Sequence, residues 1–205
     1  MKNTRILLYV AGLVVIGSII YTFTGSGNKV SYVELIQQER NDKDNFLRTS
    51  PDSPLSKEEK QKFGGLNYYT INETFKVEAT LEPVSSNEVV AMATSDGKEK
   101  RYRKYAYAKF ELSGEALQLV LYQPLQKPDN MLFLPFTDGT SAVETYGAGR
   151  YLDFDIPNDN ELIIDFNLAY NPYCVYNDNY SCPLPPRENF LTVAIEAGEK
   201  NFLKN

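Results

Sequence analysis

The sequence predicts a mainly β, α+β domain: an antiparallel β-sandwich or partly closed barrel, preceded by short helices and an N-terminal transmembrane helix. Three observations predict it. Beyond Leu66 the chain falls into short, alternating, aromatic-rich segments separated by turn residues, with no helical repeat between them. Ahead of them stand two helix-start signatures, Ser31-x-x-Glu34 and Ser56-x-x-Glu59. Ahead of those, Ile6 to Phe23 is uncharged throughout.

The first element is the apolar segment. About 20 helical residues cross a hydrocarbon core, so Ile6 to Phe23 is long enough to span one. Lys2 and Arg5 precede it, which places the short tail in the cytoplasm and the body outside. A cleaved signal peptide has a shorter apolar region and an Ala-x-Ala site, and neither is present here. Residues 1–24 therefore read as a signal anchor, 25–30 as a Gly-Ser-Gly linker, and 31–205 as one domain with its body on the extracytoplasmic side.

Between Ser31 and Leu47 the apolar residues Tyr32, Leu35, Ile36 and Phe46 sit among many charges, as in an amphipathic helix. A second, shorter helix begins after Ser56 and stops at Gly64-Gly65. Phe75 to Leu81 alternates apolar and polar residues, as a half-buried strand requires. Glu88 to Thr94 is another strand; Asp96-Gly97 predicts a type I′ turn, and Arg101 to Leu112 its partner. Further strands are expected at Leu117 to Leu121, Met131 to Phe136, Leu162 to Phe166 and Phe190 to Ile195.

Composition removes several chemistries. The chain has 205 residues, no His and two Cys, so imidazole acid/base steps, Ser-His-Asp triads and four-thiolate metal sites are excluded. After residue 24 the chain carries 19 basic and 27 acidic groups. An acidic body disfavours nucleic acid, and the basic, aromatic strip Arg101 to Lys109 reads as a strand. The oxygen-rich stretch Asp153 to Glu161 departs from an EF-hand, with Pro157 at a ligand position and no central Gly. No metal and no cofactor is expected.

The specific residues crowd into the C-terminal third. Tyr146-Gly-Ala-Gly-Arg-Tyr151, Asp165-Phe-Asn-Leu-Ala-Tyr-Asn-Pro172 and Cys182-Pro-Leu-Pro-Pro-Arg-Glu-Asn189 stand there, with Ser53-Pro-Leu55 and Phe63-Gly-Gly-Leu66 upstream. In these motifs the chain resembles the bacterial and archaeal family called domain of unknown function 1684, over most of residues 31–200. The resemblance implies a single domain there and assigns no reaction, substrate or catalytic residue.

The residues themselves offer three sites. Cys174 and Cys182 flank the polar turn Asn177-Asp-Asn179 and, in an oxidising compartment, are expected to form a disulfide. Arg150 follows Gly147-Ala-Gly149, where a guanidinium beside a small-residue loop either grips a carboxylate or phosphate or pairs structurally with Asp138 or Asp165. With Tyr146, Asp165, Asn167, Tyr170, Asn171 and Glu188 it forms a candidate polar pocket. Acid/base chemistry would fall to carboxylates such as Asp138, Glu144, Asp165 or Glu188. The leading expectation is a membrane-tethered extracytoplasmic binding or structural module for a small polar ligand. The alternatives are a carboxylate-dependent hydrolase of a glycan or ester, and a scaffold for another envelope protein.

Overall fold

The computed structural model describes residues 30–125 and 130–203, so the segment read as a membrane span lies outside the described residues. Among the described residues no helix is long and apolar enough to cross a membrane. From Ile36 onward the described residues form one compact unit.

Helix α1, Tyr32–Thr49, begins at the expected capping box. The Ser31 hydroxyl accepts the Glu34 amide at 3.3 Å, and the Glu34 carboxylate accepts the Ser31 amide at 2.7 Å. From Ile36 onward its inward stripe is Ile36, Arg40 and Leu47, with Lys43 half-buried between them. Helix α2, Lys57–Lys62, carries the second capping box at Ser56 and Glu59 and ends at Phe63, before the glycines.

Seven antiparallel strands follow: β1 Lys76–Pro83, β2 Val89–Ala93, β3 Glu99–Leu112, β4 Glu115–Pro124, β5 Met131–Phe136, β6 Arg150–Asp155 and β7 Glu161–Asp165. They form one sheet in the order β6-β5-β4-β3-β1-β7, with β2 on the long β3. This is a single curled half-barrel, not a two-layer sandwich.

Two turns differ from expectation. Thr94 and Lys98 close the β2–β3 hairpin, with Gly97 at φ 78° donating to the Thr94 carbonyl at 2.9 Å. That is a three-residue loop, because Ser95 docks on the Cys182 carbonyl and draws the tip outward. The two-residue turn is instead Ser113-Gly114, both at positive φ, between the paired Leu112 and Glu115.

A bulge at Tyr105 sorts the side chains of β3. Without it, Tyr102, Lys104 and Ala106 would share a face. With it, Lys104 pairs with Tyr122 on the outer face and Ala106 with Leu121 on the inner one. The inner face carries the main core, including Ala108, Phe110, Leu119, Leu134 and Ile164. The outer face carries a second cluster around Tyr102, Val120, Tyr122, Phe133 and Tyr151. β5 is covered on both faces, which explains its continuous apolar run.

β4 and β5 share a single register pair, Tyr122 with Phe133. Asn189 completes the join. Its Oδ1 accepts the Val120 amide at 2.7 Å, and its Nδ2 donates to the Val120 and Pro135 carbonyls at 2.9 and 2.7 Å.

The expected strand at Phe190 to Ile195 does not form; the segment meets the sheet at one isolated bridge, Thr137 with Phe190. Its polar groups have other partners. Arg150, fully buried, donates from one terminal nitrogen to the Ala197 and Glu199 carbonyls, and from the other to the Ile195 carbonyl and Asp138 Oδ2, both at 2.9 Å. Asp138 Oδ1 accepts the Ile195 amide at 3.2 Å and both Thr140 donors at 2.8 and 2.6 Å. An arginine and an aspartate thus do for residues 195–199 what a neighbouring strand would do. Backbone bonds hold the rest, Tyr69 to the Gly198 carbonyl at 3.0 Å and Glu199 to the Ala169 carbonyl at 2.9 Å.

Asn189→Leu strips three buried backbone groups of their partners and is expected to cost about 3 kcal/mol in urea unfolding. Asn189→Asp should lose nearly as much at neutral pH, since a carboxylate cannot donate to the two carbonyls. A loss below about 1 kcal/mol for both variants would contradict the bridging role.

Candidate functional site

The candidate pocket residues separate into three places. Arg150 opens β6 behind Gly149, whose φ is 92° and whose added Cβ would stand 2.5 Å from the Phe136 carbonyl oxygen. The glycine serves close backbone packing, and the guanidinium behind it points into the protein interior toward Asp138. Glu188 lies on the outer face, in the 3₁₀ turn Arg187–Asn189, accepting the Tyr122 hydroxyl at 2.5 Å and Lys104 at 3.1 Å. Burial first, and then Glu188, pushes the Tyr122 hydroxyl far above its usual range. Tyr146 sits beside Cys174, and burial, then the Cys174 charge, pushes its hydroxyl up to about 12.

Asp165, Asn167 and Tyr170 come together and line one open groove of about 680 Å³. Asn171 lies beneath it, fully buried, with its amide donating to Glu199 Oε2 at 2.9 Å. The groove follows from the topology. β6 and β7 are the two ends of the strand order, and the curl of the sheet brings Leu152 to Phe154 of β6 and Ile163 of β7 to the same opening, beneath Arg40 and Lys43 of α1. It is the seam of the half-barrel.

Glu199 forms the floor. It is 1% exposed, and its Oε2 also accepts the Tyr176 hydroxyl at 2.9 Å. Its Oε1 pairs with the Lys43 ammonium, which also lies 4.4 Å from the centre of the Tyr170 ring. Arg40 donates to the Tyr69 carbonyl at 2.9 Å and stacks 4.5 Å over Tyr68. The Tyr68 hydroxyl is buried with no hydrogen-bond partner, and desolvation, then Glu199 and Asp44, drives it well above its usual range. Tyr170 donates to Asp153 at 2.5 Å, and burial followed by the Asp153 charge raises its hydroxyl in the same way. Asp165 accepts the Asn167 backbone and side-chain amides, both at 3.0 Å, and so caps the 3₁₀ turn Phe166–Leu168. Asn167 clasps the Asn72 backbone at 3.0 and 2.8 Å.

The carboxylates offered for acid/base work are dispersed. Asp138 is sealed under Arg150, and Glu144 sits on the surface held by Lys200 at 3.0 Å and Tyr69 at 3.1 Å, with Lys200 lowering it below the usual carboxylate range. The carboxylates that line the groove are Asp153, Asp165 and Glu199, with Glu39 and Asp42 of α1 exposed at its edge. Among the described residues no group of three or more His, Cys, Asp or Glu is placed to hold a metal.

The expected disulfide is corrected by the structure: Cys174 and Cys182 are free thiols. They are neighbours nonetheless, the Cys174 amide donating to Cys182 Sγ at 3.2 Å. The loop needs no covalent link to hold its shape, because the β2–β3 tip grips it through Ser95 and Cys182 at 2.8 and 3.1 Å, and Lys100 binds the Ser181 carbonyl at 2.6 Å.

Arg40, Lys43, Tyr68, Asp153 and Glu199 are groove residues that sequence reasoning missed. Helical spacing offers the one usable signal, since Arg40 and Lys43 fall in register with Ile36 and Leu47 on a single stripe.

No curated protein matches the chain. Among solved structures, the solution structure of an uncharacterized protein from Haloarcula marismortui is similar, with 37% identity over 83% of this chain and 95% of that one, and a TM-score of 0.65. The family model described as "Protein of unknown function (DUF1684)" matches residues 61–200. The chain belongs to that family.

Proposed function

We propose that the protein is a membrane-tethered, extracytoplasmic binding module whose seam groove takes a small, neutral, hydroxyl-rich ligand of the carbohydrate class. One observation carries this reading: the charged side chains at the heart of the groove are already engaged, and the others that line it, Glu39, Asp42 and Lys76, are exposed to water. Lys43 is paired with Glu199, Arg40 with a backbone carbonyl and a tyrosine face, Asp165 with Asn167, and Asp153 with Tyr170. A charged ligand would have to break one of these contacts in a partly desolvated setting. Hydroxyl groups need not, because they bring no charge that must displace an existing partner and can both donate and accept. The apolar faces of Phe154, Ile163 and Leu168 offer a surface for the C–H side of a ring. The tether rests on Ile6 to Phe23 and on the basic residues before it.

The groove is tested by titrating the full-length protein, in lipid nanodiscs, with neutral mono- and oligosaccharides while following backbone amide shifts. The expected result is a set of shifts centred on Asp153, Asn167 and Tyr170. Saturation at 100 times the dissociation constant should stabilise the fold by about 2.7 kcal/mol. Asp153→Ala, which removes a carboxylate that lines the groove, should weaken binding roughly tenfold, as the loss of one charge-assisted hydrogen bond to the ligand would. Shifts confined to other surfaces, or binding of acetate and phosphate but of no sugar, would contradict the reading. Release of reducing ends during the titration would convert it to the hydrolase.

For the tether, the expected outcome is that the full-length protein sediments with membranes through a high-salt wash. Protease added outside the cytoplasmic membrane should then digest its body. Recovery in the soluble cytoplasmic fraction would contradict it.

A further inference from the structure

Away from the groove, the loop between Tyr173 and Pro183 presents the chain's two thiols to each other. Cys174 is half-exposed on the 3₁₀ turn Tyr173–Val175, and Cys182 is 7% exposed beneath it. The backbone around them is fixed. Ser95 donates to the Cys182 carbonyl at 2.8 Å, the Cys182 amide returns a bond to the Ser95 hydroxyl at 3.1 Å, and the Ser181 hydroxyl holds Asp96 at 2.7 Å. One thiol therefore faces solvent, the other lies directly behind it, and the scaffold holds both.

We propose that Cys174 and Cys182 form a thiol–disulfide exchange site, in which Cys174 is the attacking sulfur, Cys182 the resolving sulfur, and the substrate an external disulfide.

The surroundings divide the roles. Cys174 is lowered to about 6, first by the hydrogen bond from Cys182, against burial, and then by the hydroxyls of Ser95 and Tyr146. The lowering favours the thiolate on Cys174 over that on Cys182. Cys182 is driven up, first by that same thiolate and then by burial, so it stays protonated. In the first step Cys174 Sγ attacks one sulfur of the substrate. The substrate S–S bond breaks, its other half leaves as a thiolate that takes a proton from water, and a mixed disulfide remains on Cys174.

That step removes the charge that held Cys182 protonated. Two features then favour its ionisation, the Cys174 amide aimed at its sulfur at 3.2 Å and the positive charge of Lys100. Cys182 gives its proton to solvent, attacks Cys174 Sγ and expels the second substrate thiolate. The protein ends with a Cys174–Cys182 disulfide, and the substrate disulfide has gained two electrons to become two thiols. The reverse sequence oxidises a dithiol. Because the Cys174 amide already lies 3.2 Å from Cys182 Sγ, the resolving sulfur stands beside the residue that carries the mixed disulfide.

The test uses the full-length protein, reduced under native conditions, freed of reductant and mixed with the chromogenic disulfide 5,5′-dithiobis(2-nitrobenzoate). The expected result is release of about two thionitrobenzoate ions per chain and a protein mass lower by two hydrogens with no adduct. Cys182→Ser should release about one and keep the adduct, and Cys174→Ser should react roughly tenfold more slowly than the wild type. Retention of two adducts on the wild type would overturn the proposal, as would a Cys174→Ser variant that reacts at the wild-type rate. A bond that resists reduction until the chain is unfolded would make the pair a static staple and would also overturn it.

Discussion

The guanidinium of Arg150 is the interaction on which the rest of the structure depends. A cation with no exposure to water is tolerable only when an opposite charge and enough acceptors surround it, and Asp138 with three backbone carbonyls meets that demand at the two terminal nitrogens. The dependence runs both ways. Residues 195–199 have no strand beside them over most of their length, and their carbonyls would be buried without partners if the arginine were absent. Removing one partner of such a pair costs about 3–5 kcal/mol in comparable cases.

The consequence reaches the groove. The carbonyl of Glu199 is held by Arg150, its amide by Ala169, and its carboxylate by Asn171, Tyr176 and Lys43. One residue thus links the buried charge to the ammonium that roofs the opening. The curl of the sheet supplies the other constraint. Open strand edges invite pairing with other chains, and here the two edges β6 and β7 meet at the groove beneath the charged face of α1. The seam is therefore the place where the two ends of the strand order come to one opening and leave room for a ligand.

Most of the elements were legible in the sequence because they are set by local chemistry. The two capping boxes appear as read, and β5 has the bounds Met131 to Phe136 that its apolar run predicts. The failures share a cause, in that each depended on a partner distant in sequence. β6 was hidden behind Gly147-Ala-Gly149, which reads as a loop, although Arg150 to Asp155 pairs with β5 along its whole length. Phe190 to Ile195 looks like a strand, but its bonds go to the side chain of Asp138 and to the backbone of Thr137, Gly139 and Arg187, outside the strands. Leu35 looks like part of the apolar side of α1, yet it is half exposed while Arg40 is buried. Arg150 had two readings open, and pairing with Asp138 is the contact the structure contains. Asp165, Asn167 and Tyr170 could be singled out because they are dense in one motif; Glu199, at the far end of the domain from Lys43, could not.

Amide hydrogen exchange on the full-length protein carrying Arg150→Lys tests the central claim most directly. Lysine keeps the charge and loses the fork that holds three carbonyls and Asp138 at once. The account predicts that Tyr69, Asn171, Ile195, Glu199 and Lys200 exchange roughly tenfold faster while the paired amides of β3 and β4 keep their protection, as local release of one segment requires. Unchanged protection at Ile195 and Glu199, or an equal loss of protection across the whole sheet, would contradict it.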